Sequence, residues 1–178
     1  MRQFFFVDDA GGEEAELAAS ILADCLQRQG YPCLLSDASV TMEGPGSEEE
    51  LIFLLLEESL LDHPLVRAHL DPQSLVVVCS ARPARVVLDR LGGQPAGVVT
   101  VDAAGIAFEA GADPVTALLG GAARAAAWID PDVLCAAIWA SYDREFAYGA
   151  RAALRAFDQG YVQAQQALAT PRYHEGHH

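Results

Sequence analysis

The sequence lacks two residue types entirely. Its 178 residues include no lysine and no asparagine, so all eleven residues in the Lys and Arg count are arginines. Without lysine there is no P-loop lysine, no Schiff base to pyridoxal phosphate or a carbonyl substrate, and no lysine general base. Without asparagine there is no site for Asn-x-Ser/Thr glycosylation. These absences exclude several classes of enzyme before any pattern is considered.

The spacing typical of metal ligands is also missing. The four cysteines show neither a Cys-x-x-Cys pair nor the close spacing that holds an iron–sulfur cluster or a structural zinc. We therefore predict no metal site in the chain. The histidines within residues 174–178 are expected to bind metal only adventitiously. The residues interpreted as buried, reduced thiols are Cys25, Cys33, Cys79 and Cys135.

Acidic residues dominate the charge. The chain has 25 acidic residues, a formal charge of -14 and an isoelectric point near 4.5. This balance disfavours nucleic acid or an anionic membrane surface as a partner, because phosphate binding needs an excess of basic residues. Fourteen of the acidic residues but only two of the arginines fall within residues 1–62. Most of the negative charge is therefore expected in the N-terminal half.

The length and a hydrophobic content of 52% are enough for one sizeable core. We predict a single domain over residues 1–169 and a disordered tail over residues 170–178. The N-terminus lacks the pattern of a signal peptide, and every apolar run stops short of a membrane span. We therefore expect a cytoplasmic protein that does not insert into a membrane.

Short apolar runs alternate with stretches of helical period through the first hundred residues. This alternation predicts an α/β fold, a Rossmann-like parallel sheet flanked by helices, and the later sequence predicts a helical C-terminal portion. The predicted strands are Phe4–Val7, Cys33–Leu35, Leu51–Leu56, Leu75–Val78 and Val98–Val101. The predicted helices include Glu13–Arg28, Ser59–Leu70, Ala84–Leu91 and Arg144–Leu168.

Two acidic, glycine-containing segments are candidate ligand sites. The first, Asp8–Glu14, follows the first predicted strand and opens a helix, where a Rossmann-like fold places its phosphate loop. Its carboxylates would repel a pyrophosphate, so a tight turn before a helix is the simpler interpretation. The second, Met42–Glu50, joins the second and third predicted strands, and we expect it beyond the carboxyl ends of the strands as well. A divalent cation could bind it, but a solvated surface loop is the simpler interpretation.

Two further groups of residues have more than one interpretation. His63 and His69 are isolated, which favours surface or helix-facing roles over a catalytic base. Aromatic residues concentrate near the C-terminus, where they would anchor either the core or a docking face, with Trp139 as the residue that distinguishes the two. These aromatic residues are Trp128, Trp139, Tyr142, Phe146, Tyr148, Phe157 and Tyr161.

A series of short motifs follows in order along the C-terminal half. They are Val98–Ala103, Ile106–Glu109, Asp113–Pro114, Leu118–Ala122, Asp130–Leu134 and Arg155–Tyr161. The series resembles the gamma subunit, or gamma-type domain, of the thiamine-diphosphate-dependent 2-oxoacid:acceptor oxidoreductases, the family of pyruvate:ferredoxin and indolepyruvate:ferredoxin oxidoreductase. In that family the last motif reads Ala-Phe-x-x-Gly-Tyr and an earlier helix reads Leu-Gly-Ala. The resemblance extends over most of residues 3–165.

The polar loops depart from the family pattern. The family's first loop, Gly-x-Gly-Gly-Gln-Gly, corresponds to residues 9–14, which keep two glycines and lose the glutamine. Its second loop carries an Arg-Gly-Gly that Glu43–Glu50 lacks. Two family asparagines correspond to apolar residues, Val115 and Ala153. The cofactor contacts that the resemblance implies are Gly11, Gly12 and Glu13. We infer from the departures that the fold is kept and that its small-molecule contacts are relaxed.

The resemblance implies a gamma-type subunit of a 2-oxoacid:acceptor oxidoreductase complex, structural or access-shaping and not itself catalytic. Thiamine diphosphate and iron–sulfur clusters are then expected in alpha-, beta- and delta-type partner subunits, with no cofactor in this chain. A stand-alone binding or regulatory protein on a relic gamma fold, with the acidic N-terminal half as its working surface, is the alternative. An independent nucleotide-binding enzyme is disfavoured because lysine and asparagine are missing.

Overall fold

The computed structural model describes residues 1–8, 12–36, 39–42, 50–92, 95–142 and 147–168. The strands are β1 (Arg2–Val7), β2 (Cys33–Ser36), β3 (Ser39–Met42), β4 (Glu50–Leu55), β5 (Leu75–Cys79), β6 (Gly97–Val101) and β7 (Gln165–Leu168). These strands form one sheet in the order β2-β3-β1-β4-β5-β6-β7. The helices are α1 (Glu13–Arg28), α2 (Pro64–His69), α3 (Ala84–Arg90), α4 (Ala103–Ala110), α5 (Pro114–Ala125), α6 (Pro131–Ser141) and α7 (Ala147–Gln163). A 3-10 turn at Glu58–Asp62 precedes α2.

The centre of the sheet confirms the predicted fold class. β1, β4, β5 and β6 run parallel in that order, and their apolar residues are almost all buried. Strands covered on both faces need such continuous apolar runs. α1 has the predicted bounds, and Gly30 with a φ of 83° follows its last turn. The C-terminal portion is helical from α4 to α7, as predicted.

Both ends of the sheet are antiparallel, which the sequence did not predict. β2 and β3 form an antiparallel pair, and β3 also pairs antiparallel with β1. β7 pairs antiparallel with β6, so the predicted helix Arg144–Leu168 is wrong over its last residues. The backbone of β6 is buried and needs hydrogen-bond partners on its outer side, which a short strand supplies and a helix cannot.

The predicted helix Ser59–Leu70 is divided at His63. The backbone of His63 is extended, with φ −60° and ψ 136°, because the residue before a proline is disfavoured in the helical region. The imidazole Nδ1 of His63 accepts a hydrogen bond from the Leu65 N–H at 3.3 Å. His63 therefore caps α2, in agreement with its predicted helix-facing role.

Two apolar cores lie on the two faces of the sheet. On one face, α1 and α4 to α7 pack with β-strand residues such as Phe4 and Leu54. On the other face, the 3-10 turn, α2 and α3 pack with residues such as Phe53 and Val76. Alternate residues of one strand serve opposite cores, as the pleat requires. The sheet is thus the shared middle layer of an α/β/α sandwich.

α5 and α7 touch at backbone distance. A Cβ built on Gly120 would lie 2.7 Å from the backbone nitrogen of Tyr161, and one built on Gly160 would lie 2.7 Å from the carbonyl carbon of Ala117. Only a residue without a side chain fits at either position, because both neighbours are backbone atoms. Two of the motifs behind the family resemblance, Leu118–Ala122 and Arg155–Tyr161, therefore meet in this one contact.

Candidate functional site

Polar side chains follow each of the four parallel strands, at the edge of the sheet where ligands bind in folds of this class. Asp8 follows β1, Ser80 follows β5 and Asp102 follows β6, while Glu57 lies two residues beyond β4. We call these four residues, together with the first turn of α1, the carboxyl edge. Three of the four are acidic, which sets the electrostatic character of the edge.

The start of α1 holds the residues predicted to contact a cofactor. Gly12 is the N-cap of α1 in a left-handed conformation, φ 93°, which glycine adopts without strain. Its carbonyl oxygen accepts a hydrogen bond from the Glu16 N–H at 2.7 Å. Glu13 is the first residue of the helix and is exposed, whereas Gly11 lies outside the described residues. The predicted cofactor contact of these residues stays a prediction.

Carboxylates from three separate segments gather around Glu14. Burial raises the pKa of the Glu14 carboxyl, and the charges of Asp113, Asp8 and Glu57 raise it further. Burial also raises the pKa of the Tyr142 hydroxyl, and Asp113 adds to that shift. Glu14 lies at the positive end of the α1 dipole, which favours a carboxylate, but partial burial and then the neighbouring carboxylates act in the opposite direction and raise its pKa.

A cysteine thiol lies at the same edge. Burial raises the pKa of Cys79, although backbone N–H groups of Ala104 and Ala103, at the start of α4, donate to its sulfur and lower it. The charges of Asp102 and Glu57 raise it again. An activated cysteine nucleophile needs a lowered pKa and positive surroundings, so Cys79 has the environment of an inert thiol.

Arginines near the carboxyl edge are held in ion pairs. The Ser80 hydroxyl donates to Glu58 Oε2 at 2.6 Å. Glu58 Oε1 in turn lies 3.3 Å from Arg82 Nη1 and 3.3 Å from Arg90 Nη1, and Arg90 Nη2 lies 2.6 Å from Asp62. Because these guanidinium groups already face carboxylates, they add little net positive charge for a phosphate.

Backbone N–H groups at the starts of α4 and α5, beside the carboxyl edge, also donate to carboxylates of the chain itself. Asp102 Oδ1 accepts from the Gly105 N–H at 3.1 Å, and Asp113 Oδ1 accepts from the Val115 N–H at 2.9 Å. These N–H groups are therefore not offered to a ligand anion. The described carboxylates thus disfavour a pyrophosphate at the carboxyl edge, and the pKa of Cys79, the thiol there, is raised and not lowered.

The two ends of the second predicted ligand loop, Met42 and Glu50, lie at the opposite end of the sheet from the carboxyl edge, which differs from the expectation for this segment. Met42, where the segment starts, and Glu50, where it ends, both pair with Arg2 at the amino end of β1. The connection reaches this end because β3 runs antiparallel to β1. Residues 43–49 themselves lie outside the described residues.

The two positions where the family has asparagines are part of the core. Val115 and Ala153 are fully buried among apolar neighbours of α5 and α7. Neither position can offer a polar group to a ligand.

The cysteines occupy four different elements. All four are free thiols; Cys25 is fully buried as predicted, whereas the other three are only half-buried: Cys33, Cys79 and Cys135. Burial raises the pKa of Cys25 to about 12. Over the described part of the chain, no three His, Cys, Asp or Glu side chains come together as metal ligands. The histidines of residues 174–178 lie outside that part.

The C-terminal aromatic residues divide between core and surface. Phe157 is buried and stacks on Tyr161 with a centroid distance of 6.5 Å, and Trp128 packs against Phe4 at 5.6 Å. Trp139 is 46% exposed on α6 and Tyr148 is largely exposed at the start of α7. Phe146 lies outside the described residues. Core packing thus accounts for part of the set, and docking through Trp139 stays a prediction.

Sequence reasoning missed Glu57 and Asp113 as neighbours of Glu14, and Tyr142 as a neighbour of Asp113. A signal for two of them was available, because Glu57 follows a predicted strand and Asp113 precedes a proline as an N-cap does. Tyr142 carries no such signal, since its approach to Asp113 depends on how α6 packs beside α5.

Comparison with known proteins shows which sequences this chain is similar to. No family model matches the chain. A protein described as pyruvate/ketoisovalerate oxidoreductases common subunit gamma, from Thermococcus kodakarensis, is 30% identical over 136 residues, covering 65% of this chain and 73% of the relative. The chain belongs to this family of gamma subunits. The protein of the same description from Thermococcus litoralis is 28% identical over 174 residues, covering 85% of this gamma subunit and 94% of the relative.

Solved structures show the same fold for the gamma subunit. The pyruvate oxidoreductase subunit PORC of Thermotoga maritima superposes with a TM-score of 0.72 at 18% identity, covering 93% of this chain and 97% of that one. The gamma subunit of keto/oxoacid ferredoxin oxidoreductase from Geobacter sulfurreducens gives 0.63 at 16% identity, covering 90% and 93%. The fold expected from the family resemblance is confirmed.

Proposed function

We propose that this gamma subunit works within a complex that oxidatively decarboxylates a 2-oxoacid, and that it shapes the complex without carrying out the chemistry. The relatives are named as subunits of pyruvate/ketoisovalerate oxidoreductases, which gives the substrate class. Alpha-, beta- and delta-type subunits then hold thiamine diphosphate, on which the 2-oxoacid is decarboxylated, and the iron–sulfur clusters that carry the electrons onward.

The acidic carboxyl edge is the observation that carries the non-catalytic role. A bound diphosphate requires positive charge or free N–H groups. Here Glu14 has a raised pKa because of burial and three neighbouring carboxylates, and the nearby Arg82 and Arg90 are in ion pairs. The residues described therefore do not fit thiamine diphosphate.

The thiols support the same assignment for the iron–sulfur clusters. A cluster needs four close thiolates, whereas the four cysteines of this chain lie on α1, β2, β5 and α6. Burial raises the pKa of Cys25 to about 12 and that of Cys135 to about 11. Thiols in this state are poor metal ligands, because the thiolate is the binding form.

Anaerobic purification of the tagged chain from its native cells, at mild salt, tests the proposal. We expect larger subunits of an oxidoreductase to co-purify with thiamine diphosphate and iron in defined ratio to this chain. A single species free of both would overturn the proposal and leave a stand-alone protein on a gamma fold.

Calorimetry on the chain purified alone tests its non-catalytic character. We expect no heat of binding in the sub-millimolar range with thiamine diphosphate and Mg²⁺, with NAD or with ATP. Sub-millimolar binding of any of these would contradict the role proposed for the carboxyl edge.

A further inference from the structure

The strand β7 follows the helix α7 without a loop between them. The Ala164 N–H donates to the Gly160 carbonyl oxygen at 3.1 Å, which is the hydrogen bond of a continuing α-helix. The next residue, Gln165, already belongs to β7 and pairs with Thr100 of β6. A single residue, Ala164, therefore separates helical from extended backbone. The backbone conformation from this residue onward decides whether Gln165–Leu168 leaves α7 or continues it.

The residues of β7 are helix formers. The strand reads Gln-Gln-Ala-Leu, and alanine, leucine and glutamine are among the residues with the highest helix propensity. None of the four residues is β-branched or aromatic, and these are the residue types enriched in strands. The local preference of the segment therefore opposes the structure that it adopts.

The apolar pattern of the segment also fits a helix better than a strand. The residues of α7 and its end that pack in the core include Phe157, Tyr161 and Ala164. Leu168 follows Ala164 by four residues, so it would fall on the same apolar face if the helix continued. As a strand, the segment shows no apolar alternation, because each of its faces receives one glutamine and one apolar residue.

The strand β7 is held on the sheet mainly by its backbone. Gln165 and Gln166 are exposed and Leu168 is 63% exposed, whereas Ala167 packs against the core on the side of α2 and α3. A backbone hydrogen bond contributes little net stability, because water replaces a lost partner. As a helix, the segment would form hydrogen bonds within α7, while the outer side of β6 would turn to water. Few side-chain contacts therefore favour the strand over the helix.

We propose that Gln165–Leu168 is a two-state switch, which forms β7 in its main state and the last turn of α7 in a minor state. In the helical state the outer edge of β6, Gly97–Val101, is open. A molecule that binds one state more tightly than the other shifts the segment toward that state. The inference does not rest on the proposed function, because it concerns this chain alone.

Chemical exchange saturation transfer on the isotope-labelled full chain tests the proposal, because this NMR experiment reports the Cα chemical shifts of a minor state. We expect a minor state with a population of about 1%. In that state the Cα shifts of Gln165–Leu168 should be helical, while those of β5 should be unchanged. A minor state with unstructured shifts would show that β7 only frays and would overturn the proposal, as would the absence of a minor state.

Matched substitutions at two exposed positions shift the balance in opposite directions. The double variant Gln165→Thr, Gln166→Thr favours the strand, and the double variant Gln165→Ala, Gln166→Ala favours the helix. We expect amide hydrogen exchange of β7 to slow about tenfold in the threonine variant and to accelerate about fivefold in the alanine variant. Exchange within Val76–Val78 of β5 should be equal in all three chains, which checks that the fold is intact. Equal exchange of β7 in the two variants would contradict the proposal.

Gly97→Ala tests the same balance from β6 and leaves the segment itself unaltered. A Cβ built on Gly97 lies 3.1 Å from Leu168 Cδ2 and 3.3 Å from the Ala167 carbonyl oxygen, so the added methyl group crowds β7. We expect the population of the helical minor state to rise about threefold. An unchanged population would overturn the proposal, because the strand state would then not depend on its contact with β6.

Discussion

The contact between α5 and α7 and the carboxyl edge of the sheet are built from opposite kinds of residue. At the contact, Gly120 and Gly160 bring two backbones together without a charged group between them. At the carboxyl edge, Glu14 faces carboxylates from three other segments, and burial and these charges raise its pKa. The first region tolerates no added atom, whereas the second already contains unfavourable charge.

The difference shows which part of the molecule specifies the family. The Leu-Gly-Gly-Ala and Ala-Phe-x-x-Gly-Tyr motifs of the resemblance both lie in the α5–α7 contact, while the loops that depart from the family lie elsewhere. The packing of α5 and α7 does not require the residues of the carboxyl edge. A gamma subunit can therefore keep its fold while its ligand loops change.

Gly160→Ala is the substitution that should break the α5–α7 contact. The added methyl group would overlap the carbonyl group of Ala117, and backbone cannot move aside as a side chain does. We expect the free energy of unfolding in urea to fall by about 3 kcal/mol, the upper range for overpacking.

Gly111→Ala is the matched control for that substitution. Gly111 has a φ of 66° with no atom within 4 Å of a built Cβ, so alanine there meets only backbone strain. We expect it to cost about 1 kcal/mol. Equal losses for the two variants would show that the α5–α7 contact relaxes and does not specify the fold.

Asp113→Ala should have a smaller effect, because it removes one hydrogen bond at the start of α5. Asp113 Oδ1 accepts from the Val115 N–H at 2.9 Å, and loss of such a cap costs about 1 kcal/mol. Asp113→Asn keeps an accepting oxygen and removes the charge, so its unfolding free energy should match or exceed that of the unchanged chain at neutral pH. If both variants lose the same stability, the charge and not the cap is what Asp113 contributes.

The sequence predicted the parallel centre of the sheet because each of its strands is a self-contained apolar run, as in Leu75–Val78. It also predicted α1 to the residue, since a sustained helical period ends there before Gly30. It missed β3 and β7, because four residues of mixed character become a strand only where a neighbouring strand offers an open edge.

The candidate site was predicted only in part for a related reason. The segment Asp8–Glu14 is at the carboxyl edge because it follows β1, a local property of the sequence. The ends of the second segment, Met42 and Glu50, are at the opposite end because β3 runs antiparallel to β1, and strand direction depends on pairing between distant residues. Glu57 and Asp113 could be placed at the end of a strand and the start of a helix, but their approach to Glu14 could not be predicted, since these elements lie far apart in the chain.

The smallest expected effect lies at the carboxyl edge and concerns the pH dependence of stability. In the folded chain, burial and the charges of Asp113, Asp8 and Glu57 raise the pKa of Glu14 above its ordinary value of 4.5. Below that value the carboxyl is protonated in both states and contributes no difference. As the pH rises from 4.5 towards the folded pKa, the unfolded state releases its proton while the folded state still holds it. The free energy of unfolding therefore falls over this pH range.

Glu14→Gln removes this pH-dependent loss of stability, because glutamine has nearly the same shape as glutamate and carries no charge. We expect the variant and the unchanged chain to unfold alike at pH 4, and the variant to gain stability relative to it as the pH rises to 7. Carboxyl NMR titration gives the independent check: the pKa of Glu14 should fall in Asp113→Asn but not in Asp130→Asn, whose carboxylate caps α6 and raises the pKa of Cys25. A Glu14 pKa that responds equally to both variants would mean that the general acidity of the chain, and not the carboxyl edge, sets the charge there.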